Sequence, residues 1–595
     1  MAESPSRKYL LGNDAAAHAC REAGIDFASG YPGTPSSEVI DNLRAVPERP
    51  YYVEWSVNEK VAFEQALAAS WCGLRSLVTM KHVGLNVAAD PLMTSSYTGT
   101  KGGFVILSAD DPFAHSSQNE QDSRMYAKFA QIPCLDPSSV QEAHDYLKSA
   151  WDISEKFRLP VLFRPTTRIC HSKGDVELGE AVSSPRTGSF EKNPKQYVVV
   201  PAHTRPLHAE LTKKQAAVAE YLVSAGYNTA DIRGKKAVIA GGISASYAAE
   251  VLPDDVSFIK IGAYPIDRKW LSDIVSKHSE ILVIEELMPV IEEMVLSVAD
   301  KTTAVHGKLD GTVPHEGEFS AAHAASFMEK AGFAKNTFPV PETPADVAVR
   351  PPILCPGCLH RSVFYAMRKV FKDGIFPSDI GCYTLGLQLG AVDTTICMGA
   401  SVTVGSGIAH SVPNAEVVST IGDSTFLHTG INGLINAVYN GANQTIIILD
   451  NRITAMTGHQ PNPNTGLTAA GAVSPKISLE ELVKACGVSF VESVDPYDLT
   501  LLLAVLKEAK EKKGVKVIIA KQPCVIMNKR LGIKRSRYVV DADRCIKCGA
   551  CIKYGCPAIE TDVSGAAKTT ALCTGCGVCA DICPAGAIHK GGRKE

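Results

Sequence analysis

The chain has 595 residues, of which 45% are hydrophobic and 21% are charged, and its formal net charge at pH 7 is -3. At roughly 100–200 residues per domain, this length predicts about three to five domains. Interspersed charges of both signs do not indicate a nucleic-acid-binding surface. No stretch approaches the ~20 apolar residues of a membrane helix, and the N-terminus lacks the apolar core of a signal peptide. We therefore expect a soluble cytoplasmic protein that binds neither nucleic acid nor membranes.

The first domain is predicted over residues 1–180, where strand-like and Ala-rich helical stretches alternate as in an α/β fold. Within "VNEKVAFEQALAAS", Glu59 stands at the mouth of a helix, where the helix dipole favours a carboxylate even without a function. Thr34 precedes a proline and is a candidate helix N-cap. Three more residues are candidate anion contacts or, equally, paired surface charges: Lys81, His82 and Arg124.

A second α/β domain is predicted over residues 235–335, between a polar linker at 181–234 and a proline-rich linker at 336–354. Three of its stretches have the composition of strands, namely "KKAVIAGG", "SFIKIG" and "EILVIEE". We predict no catalytic residue in this domain.

The third domain, predicted over residues 355–533, contains a strand–turn–helix–strand pattern in "AEVVSTIGDSTFLHTGINGLINAVYNGANQTIIILDNRI". Two parallel strands joined by such a crossover end at the same edge of a sheet, where open α/β sheets bind ligands. Asp423 and Asn451 follow the two strands, so both are predicted to lie at that edge. The apolar face of the connecting helix is predicted at Ile431, Leu434, Ile435 and Val438.

These two edge residues have the chemistry of a magnesium–diphosphate site. Mg²⁺ prefers an octahedron of oxygen ligands and shares it with phosphates. Asp423, Asn451 and the carbonyl of Ile453 would supply oxygens, and Gly422 would let the phosphate approach a helix N-terminus. The pattern resembles the thiamine diphosphate signature, although Ser424 stands in place of its second glycine. The alternative is an aspartate that only caps a helix.

Other signals in the third domain are weaker. Cys355 and Cys358 form a CxxC that could act in redox chemistry or bind a metal, but no second CxxC lies nearby in the sequence. His360, with Cys358, is a candidate contact for the diphosphate or else a hydrogen-bonded core residue. In the loop after the second strand, His459 and Gln460 are candidate active-site residues. "GSGIAH" does not match the dinucleotide-binding fingerprint.

The last predicted domain, residues 534–595, carries eight cysteines in two runs, CxxCxxCx4CP and CxxCxxCx3CP. In two-cluster bacterial ferredoxins, the fourth cysteine of each run ligates the cluster of the other run. Zinc also takes four sulfurs but rarely uses such a crossed pattern. We therefore predict two [4Fe–4S] clusters, one on Cys545, Cys548, Cys551 and Cys583, and one on Cys556, Cys573, Cys576 and Cys579.

Several segments resemble one family. These are "GYPGTPSSEVID", "MKHVGLNVAADPLMTSSYTG" and "DDPFAHSSQNEQDSR" in the first domain, and "CPGCLHR", "CMGASVTVGSGIAHS" and "GDSTFLHTGINGL" in the third. With the cysteine-rich tail, they are similar to the α subunits of indolepyruvate:ferredoxin oxidoreductases, a branch of the thiamine-dependent 2-oxoacid:ferredoxin oxidoreductases. The resemblance covers nearly the whole chain in domain order. In this branch Gly-Asp-Ser is usual, which accounts for Ser424.

The resemblance implies a multidomain α/β fold. It would comprise a pyrimidine-binding and a diphosphate-binding domain of the doubly wound thiamine type, a transketolase-C-terminal-like domain at 235–335, and a small α+β ferredoxin-like domain. Glu59 would activate thiamine diphosphate through its aminopyrimidine, and Thr34 would contact the substrate carboxylate.

The implied reaction is oxidative decarboxylation of aryl 2-oxo acids such as indolepyruvate or phenylpyruvate. Coenzyme A would take the acyl group and ferredoxin the electrons. A separate small β subunit of about 200 residues, the size of one domain, is expected in an (αβ)2 assembly.

Three alternatives remain open at this stage. The substrate could be pyruvate or a branched-chain 2-oxo acid. The chain could be a non-oxidative thiamine-dependent decarboxylase, although the complete set of eight tail thiols argues against this. It could also be an electron-transfer or scaffold subunit that binds no thiamine diphosphate.

Overall fold

The computed structural model of the chain describes residues 6–182, 186–336, 338, 348, 350–412 and 414–591. The chain divides into two compact units, residues 1–345 and 346–595. Within the described ranges, no helix has the combination of length and apolar sequence that crossing a membrane requires. The predicted linker at 336–354 lies mostly outside the described residues.

The first unit contains two open α/β sheets and a small antiparallel pair of strands. Its strands are β1 (Ser6–Leu11), β2 (Phe27–Gly30), β3 (Tyr52–Trp55), β4 (Ser76–Lys81), β5 (Phe104–Ala109), β6 (Cys134–Leu135), β7 (Val161–Phe163), β8 (Lys173–Leu178), β9 (Asn228–Asp231), β10 (Lys236–Gly241), β11 (Ser257–Ile261), β12 (Ala263–Tyr264), β13 (Glu280–Ile284) and β14 (Ala304–His306).

Helices connect these strands and cover the sheets. They are α1 (Gly12–Glu22), α2 (Ser37–Ala45), α3 (Glu59–Trp71), α4 (His82–Val87), α5 (Ala89–Thr98), α6 (Ser123–Ala130), α7 (Val140–Phe157), α8 (Thr167–His171), α9 (Pro194–Tyr197), α10 (Pro201–Ser224), α11 (Ile243–Glu250), α12 (Arg268–Val275), α13 (Val290–Leu296) and α14 (Ala321–Lys330), with a 3₁₀ turn at Pro112–Ala114.

The first sheet has the strand order β3-β2-β4-β5-β7-β6, with all neighbours parallel, and β12 is added antiparallel beside β6. Its central strands are almost completely buried, as expected for a parallel sheet that helices cover on both faces. Because the strands are parallel, the turns that follow them meet along one edge.

The second sheet has the order β14-β13-β10-β11-β9, in which only β9 is antiparallel. The three strands predicted in this domain are confirmed as β10, β11 and β13. The strand order reverses beside β10, which is where open α/β sheets usually leave a crevice for a ligand.

Arg124 joins the two sheets of the first unit. Its buried guanidinium donates hydrogen bonds to Asp122 at 2.6 Å, to Glu285 at 2.8 Å, to the Tyr264 hydroxyl at 3.0 Å and to the Glu286 carbonyl at 2.9 Å. The structure therefore corrects the predicted anion contact, because protein groups surround this cation and give it a structural role.

The stretch predicted as a linker at 181–234 contains α10, a helix of 24 residues. Leu211, Val218, Ala219 and Leu222 are buried from it, at a helical spacing that its polar residues and an internal proline obscure in the sequence. The same stretch supplies β9 to the second sheet.

The second unit is built on a four-stranded sheet and a small cysteine-rich domain. Its strands are β15 (Val417–Gly422), β16 (Gln444–Asp450), β17 (Phe490–Val494), β18 (Lys516–Lys521), β19 (Tyr538–Val540), β20 (Ile559–Thr561), β21 (Ala567–Thr569) and β22 (Ile588–Lys590). Its helices are α15 (Leu359–Val370), α16 (Ala400–Ser411), α17 (Asp423–Thr425), α18 (Ile431–Tyr439), α19 (Leu479–Ala485), α20 (Leu499–Glu511), α21 (Val525–Arg530), α22 (Ala550–Lys553) and α23 (Val578–Ile582), with a 3₁₀ segment at Cys382–Leu389 and a π turn at Phe426–Gly430.

The four-stranded sheet is parallel in the order β15-β16-β18-β17, so the predicted crossover from β15 to β16 is confirmed. The apolar face predicted for the connecting helix is partly wrong. Leu434 and Ala437 are buried, whereas Ile435 is 49% exposed. The π turn between α17 and α18 sets the rotation of α18 on the sheet, and a sequence periodicity does not reveal such a turn.

The cysteine-rich domain packs on the four-stranded domain through a shared apolar core. Tyr554, Val578 and Ile582 from the former lie in one buried cluster with Leu359 and Leu499 from the latter. Two short antiparallel pairs, β19-β22 and β20-β21, complete the small domain.

Glu286 in the first unit makes the stability of this fold depend on pH. Burial raises the pKa of Glu286 to about 7, while the backbone N–H of Phe319 donates to its carboxyl at 2.8 Å. The protonated carboxyl therefore contributes stability that is fully present below the unfolded pKa of about 4.3. This contribution, on the order of 3 kcal/mol, is lost as the pH rises towards 7. We expect Glu286→Gln to remove this loss in calorimetric unfolding scans between pH 5 and 7.5.

Glu250→Gln, at an exposed helix end, is the matched control and should follow the wild type. Parallel pH profiles for Glu286→Gln and the wild type would contradict the assignment.

Candidate functional site

The carboxyl edge of the first sheet collects four of the predicted residues. Thr34 follows β2, Glu59 begins α3 after β3, and Lys81 and His82 lie where β4 passes into α4. The loop after β2 packs on Lys81, since a Cβ on Gly33 would lie 3.3 Å from Lys81 Cγ.

Glu59 lies at this edge and is only 6% exposed. The side chain of Asn58 caps the helix by accepting a hydrogen bond from the Lys60 N–H at 2.7 Å. Gly84 lies directly against the Glu59 carboxylate, because a Cβ built on Gly84 would be 2.7 Å from both Cγ and Oε1. Only a residue without a side chain leaves the carboxylate in this position.

Lys81 and His82 present nitrogen atoms to the same edge. Burial lowers the pKa of Lys81 to about 8, although the charges of Asp111 and Glu59 oppose this change. Burial also lowers the pKa of His82, whose Nε2 contacts the Asn119 carbonyl at 3.2 Å and whose Nδ1 has no protein partner among the described residues. The edge therefore offers a cation and a neutral imidazole to a ligand.

The interpretation of Thr34 as a helix cap is wrong. The helix begins at Ser37, and Ser36 occupies the cap position. Thr34 lies in the turn before them, half-buried at the sheet edge.

The second sheet edge of interest belongs to the four-stranded domain, where Asp423 and Asn451 follow β15 and β16. Asp423 is 2% exposed and accepts a hydrogen bond from Asn462 Nδ2 at 2.9 Å. Burial, with the neighbouring charge of Asp450, raises the pKa of Asp423 to about 7. Two buried carboxyl groups side by side form a site that a divalent cation would neutralise.

Sequence reasoning missed Asp450 and two asparagines that complete this site. Asn464 Nδ2 donates to Asp450 Oδ1 at 2.7 Å, and both Asn462 and Asn464 are buried. The two asparagines come from the loop "QPNPNTG", where asparagines that alternate with prolines were the available signal. They orient the two carboxylates.

The remaining predicted residues of this edge lie close around it. Asn451 Oδ1 accepts a hydrogen bond from the Ile453 N–H at 3.0 Å, and the Thr454 hydroxyl donates to Ser424 Oγ at 2.8 Å. Gly422 allows the Tyr383 ring to pack against the end of β15, because a Cβ on residue 422 would lie 2.5 Å from that ring. The helix that starts at Asp423 directs its N-terminus to this edge.

His459 and Gln460 have different environments. His459 lines a cavity beside Asn451, and burial lowers the pKa of this imidazole. Gln460 is buried and bonds twice to Thr457, through the hydroxyl at 2.8 Å and the carbonyl at 2.9 Å. Gln460 therefore stabilises the conformation of the loop.

The cavity beside Asn451 contains four thiols that the sequence did not connect. It has a volume of about 100 Å³, and its lining includes Cys355, Cys358, Cys382 and Cys524. Burial and the neighbouring thiols raise the pKa of Cys382 to about 11 and also raise that of Cys358. The rest of the lining is mostly apolar, as around many iron–sulfur centres.

Two contacts tie this thiol set to the Asp423–Asn451 edge. The Cys524 N–H donates to the Asn451 carbonyl at 3.0 Å. On the other side, Tyr383 follows Cys382, and its hydroxyl lies 2.6 Å from the Thr425 hydroxyl. The thiols and the edge residues therefore form one continuous site.

His360 also faces this cavity. Its Nδ1 lies 3.4 Å from Cys358 Sγ, and its Nε2 is buried without a protein partner among the described residues. Burial lowers the pKa of His360 to about 4. An unsatisfied nitrogen in such a place fits a bound group that completes its hydrogen bonding.

The cysteine-rich domain brings the eight tail cysteines into two sets, which we call the outer and the inner set. The outer set, Cys545, Cys548, Cys551 and Cys583, lines a cavity of about 60 Å³. In the inner set, burial and the thiols of Cys576, Cys573 and Cys556 raise the pKa of Cys579 to about 12. Each set thus combines three cysteines of one run with the last cysteine of the other.

The crossed pairing of the two cysteine runs distinguishes a pair of clusters from zinc sites. It is the arrangement of two-cluster ferredoxins, and zinc rarely uses it. In the part of the chain that the structure describes, no three His, Cys, Asp or Glu side chains are arranged to share one metal ion.

Three family models match the chain in the order of its domains. The thiamine-diphosphate-binding model of pyruvate flavodoxin/ferredoxin oxidoreductase matches residues 18–235. The C-terminal TPP-binding domain of thiamine pyrophosphate enzymes matches 379–520, and a 4Fe-4S dicluster domain matches 537–590. These matches give the chain thiamine-diphosphate-binding domains and a domain for two [4Fe–4S] clusters.

Curated relatives match over the whole length. The indolepyruvate oxidoreductase subunit IorA of Archaeoglobus fulgidus is 44% identical, over 98% of this chain and 97% of the relative. That of Thermococcus kodakarensis is 43% identical, over 97% and 96%. The 2-oxoglutarate synthase subunit KorA of Methanothermobacter thermautotrophicus is 25% identical, over 29% of this chain and 48% of the relative. With its sheet-edge residues and thiol sets in place, this chain belongs to the family of the indolepyruvate oxidoreductase IorA subunits.

Proposed function

We propose that the chain is the catalytic subunit of an indolepyruvate:ferredoxin oxidoreductase. It would oxidatively decarboxylate aryl 2-oxo acids, such as indolepyruvate and phenylpyruvate, to acyl-coenzyme A and CO2. The observation that carries this proposal is the identity of 43–44% across nearly the whole chain with indolepyruvate oxidoreductase subunits, together with thiamine and iron–sulfur domains on one chain.

Thiamine diphosphate supplies the electron sink that makes loss of CO2 from a 2-oxo acid feasible. Glu59 would exchange a proton with the aminopyrimidine ring when the cofactor is bound. The Asn58 cap holds the start of the helix that carries Glu59, and Gly84 leaves room for its carboxylate.

Asp423, Asn451 and the Ile453 carbonyl would hold Mg²⁺, which would neutralise charge on the diphosphate. The hydrogen bond from Asn462 to Asp423 and the neighbouring pair of Asn464 and Asp450 keep the carboxylates in place. The buried carboxyl pair supports this role because it carries uncompensated charge whenever both groups ionise.

Lys81, His82 and Thr34 bind the carboxylate of the 2-oxo acid. The lysine with a pKa of about 8 is mostly protonated at pH 7 and supplies the charge. The Thr34 hydroxyl supplies a hydrogen bond, and His82 lines the carboxylate site with an Nδ1 that no described protein group contacts.

We further propose that Cys355, Cys358, Cys382 and Cys524 hold a third iron–sulfur cluster. Their cavity, like that of the outer set, has four thiols in its lining. His360 Nε2, which no described protein group contacts, faces the site, and the rest of the lining is mostly apolar. This position lies beside Asn451, one of the residues that would hold the magnesium diphosphate.

The partners follow from the reaction and from the relatives, which are named as subunits. A ferredoxin takes the electrons, and coenzyme A takes the acyl group. We propose a small β subunit of about 200 residues, the size of one domain, in an (αβ)2 assembly.

The substrate class is tested with the chain and its partner subunit purified anaerobically together. We expect faster reduction of ferredoxin with indolepyruvate or phenylpyruvate than with pyruvate or a branched-chain 2-oxo acid. Glu59→Gln should lose turnover by a factor on the order of 10³, a usual contribution of a positioned acid–base group, with unchanged iron content. Faster turnover of pyruvate would refute the substrate class, and full activity of Glu59→Gln would refute the role of that residue.

A second prediction concerns the contact between Gly84 and Glu59. Gly84→Ala should displace the carboxylate and lower turnover by a factor on the order of 10², because small misplacements of a reacting group are costly. Gly407→Ala, where an added Cβ meets nothing within 4 Å, is the matched control and should retain activity. Equal activities of Gly84→Ala and the wild type would contradict the geometry.

A third prediction concerns the number of clusters. The wild-type chain should contain roughly 12 iron atoms, and Cys382→Ala roughly 8, since one cluster of four irons would be lost. Cys486→Ala, at a half-buried cysteine outside the thiol sets, should keep the wild-type iron content. About 8 irons in both the wild type and Cys382→Ala would exclude the third cluster.

A further inference from the structure

The loop between β5 and α6 presents an exposed aromatic ring on a strained backbone. We call residues 111–120 of this loop the rim loop. Phe113 has a φ of 67° and a ψ of 7°, and it is 65% exposed. The next residue, Ala114, also has a positive φ, of 47°. A bulky residue adopts this left-handed conformation only at a cost in free energy, so the contacts of the rim loop must maintain it.

The rim loop is anchored on two residues of the first sheet edge. Lys81 Nζ donates a hydrogen bond to the Ser116 carbonyl at 2.9 Å, and His82 Nε2 lies 3.2 Å from the Asn119 carbonyl. Lys81 and His82 are the nitrogen-bearing residues that we propose for the carboxylate of the 2-oxo acid. The rim loop therefore borders that carboxylate site directly.

Asp111 fixes the start of the rim loop. One of its carboxylate oxygens accepts hydrogen bonds from the Ser116 N–H at 2.8 Å and from the Ser117 hydroxyl at 2.6 Å. The other oxygen accepts a hydrogen bond from the Thr167 hydroxyl at 2.6 Å. Asp111 is fully buried, so these bonds tie the start of the loop to its middle and to α8.

Two glutamates hold the loop on its other side. The Glu120 carboxylate accepts hydrogen bonds from the N–H of Phe113 and, at 3.0 Å, from the N–H of Gly317. His115 Nε2 lies 3.1 Å from Glu318 Oε2. The backbone that carries the Phe113 ring is therefore fixed from several directions.

The ring itself is covered only in part. The His115 ring packs edge-on against it, with 5.4 Å between the ring centres. A Cβ on Gly317 would lie 3.8 Å from Phe113 Cδ2. Most of the ring remains accessible, and an aromatic ring on a fixed backbone loses little conformational entropy when a ligand packs on it.

The ring is also close enough to matter for a bound substrate. Phe113 precedes Ser116 by three residues, and three Cα–Cα steps of about 3.8 Å span at most about 11 Å. The Ser116 carbonyl contacts Lys81, so Phe113 lies within this span of a residue that touches the carboxylate site. Phe113 is the one phenylalanine, tyrosine or tryptophan in the rim loop.

We infer that Phe113 is a specificity-determining residue whose ring contacts the aryl group of the 2-oxo acid. The inference rests on the proposed function and names the contact that selects its substrate class. A substrate held by its carboxylate at Lys81 directs its side chain away from that end. An indole or phenyl group can then pack on the ring, whereas the methyl group of pyruvate is too small to form this contact.

The test is Phe113→Gly, which removes the ring and adopts a φ of 67° without strain, so that the rim loop keeps its conformation. Phe113→Tyr is the conservative variant, because it keeps an aromatic ring. Phe190→Gly is the matched control, since Phe190 is 57% exposed and also lies in an irregular segment.

The readout is kcat/KM for ferredoxin reduction by the chain and its partner subunit, purified together anaerobically. For indolepyruvate and phenylpyruvate, we expect Phe113→Gly to lower kcat/KM by about five- to tenfold, the usual contribution of an aromatic pair. For pyruvate, kcat/KM should stay at the wild-type value. Phe113→Tyr and Phe190→Gly should keep the wild-type preference for aryl substrates.

Equal losses with aryl substrates and with pyruvate would indicate a purely structural role for Phe113 and would overturn the inference. Unchanged selectivity in Phe113→Gly would overturn it as well. Dissociation of the partner subunit from Phe113→Gly in size-exclusion chromatography would identify the ring as a subunit contact instead. If Phe113→Gly does not fold, Phe113→Asn takes its place, because asparagine tolerates a positive φ and carries no ring.

If no 2-oxo acid supports ferredoxin reduction by the wild type, the proposed function fails. The inference is then decided by calorimetric titration of the same complex with indole-3-acetate, which carries a carboxylate and an aryl group. We expect Phe113→Gly to raise the dissociation constant by about fivefold or more, and Phe113→Tyr to leave it unchanged. Absence of binding to the wild type, or equal dissociation constants for the wild type and Phe113→Gly, would refute the contact.

Discussion

Parallel pairing of β15, β16 and β18 is the constraint on which the rest of the second unit depends. Gly422 is paired with Leu449, and Asp450 with Lys521, so the three strands end at one level. The residues that follow these strands therefore lie at a single edge of the sheet. Asp423, Asn451 and Cys524 follow these strands, and a cation site and a thiol set therefore become neighbours.

Burial of ionisable side chains is a second feature of the structure. Asp423 and Glu286 have raised pKa values because their carboxyl groups are withdrawn from water, and Lys81 has a lowered one for the same reason. Asp423 and Lys81 lie at sheet edges where a ligand would supply the opposite charge. Glu286 lies near Arg124, where protein groups fill the crevice of the second sheet.

The cysteine-rich domain packs directly on the four-stranded domain. The cysteine-rich domain shares an apolar core with α15 and α20, and is not merely tethered to them. Such a core resists relative movement of the two domains, so the distance between their thiol sets is fixed by the fold. The absence of a side chain at Gly357 is what allows the Cys355–Cys358 loop to contact Thr574 and Cys576.

The sequence by itself determined the α/β class, the β15–helix–β16 crossover and the two cysteine runs, because each depends on local periodicity or spacing. It also identified Glu59, Asp423 and Asn451 as candidates, since strand ends can be located from the pattern. Only the tertiary structure decided that Arg124 is a structural cation and that 201–224 is a helix. It alone joined Cys382 and Cys524 to Cys355 and Cys358, because residues far apart in the chain become neighbours only when the elements that they flank pack together.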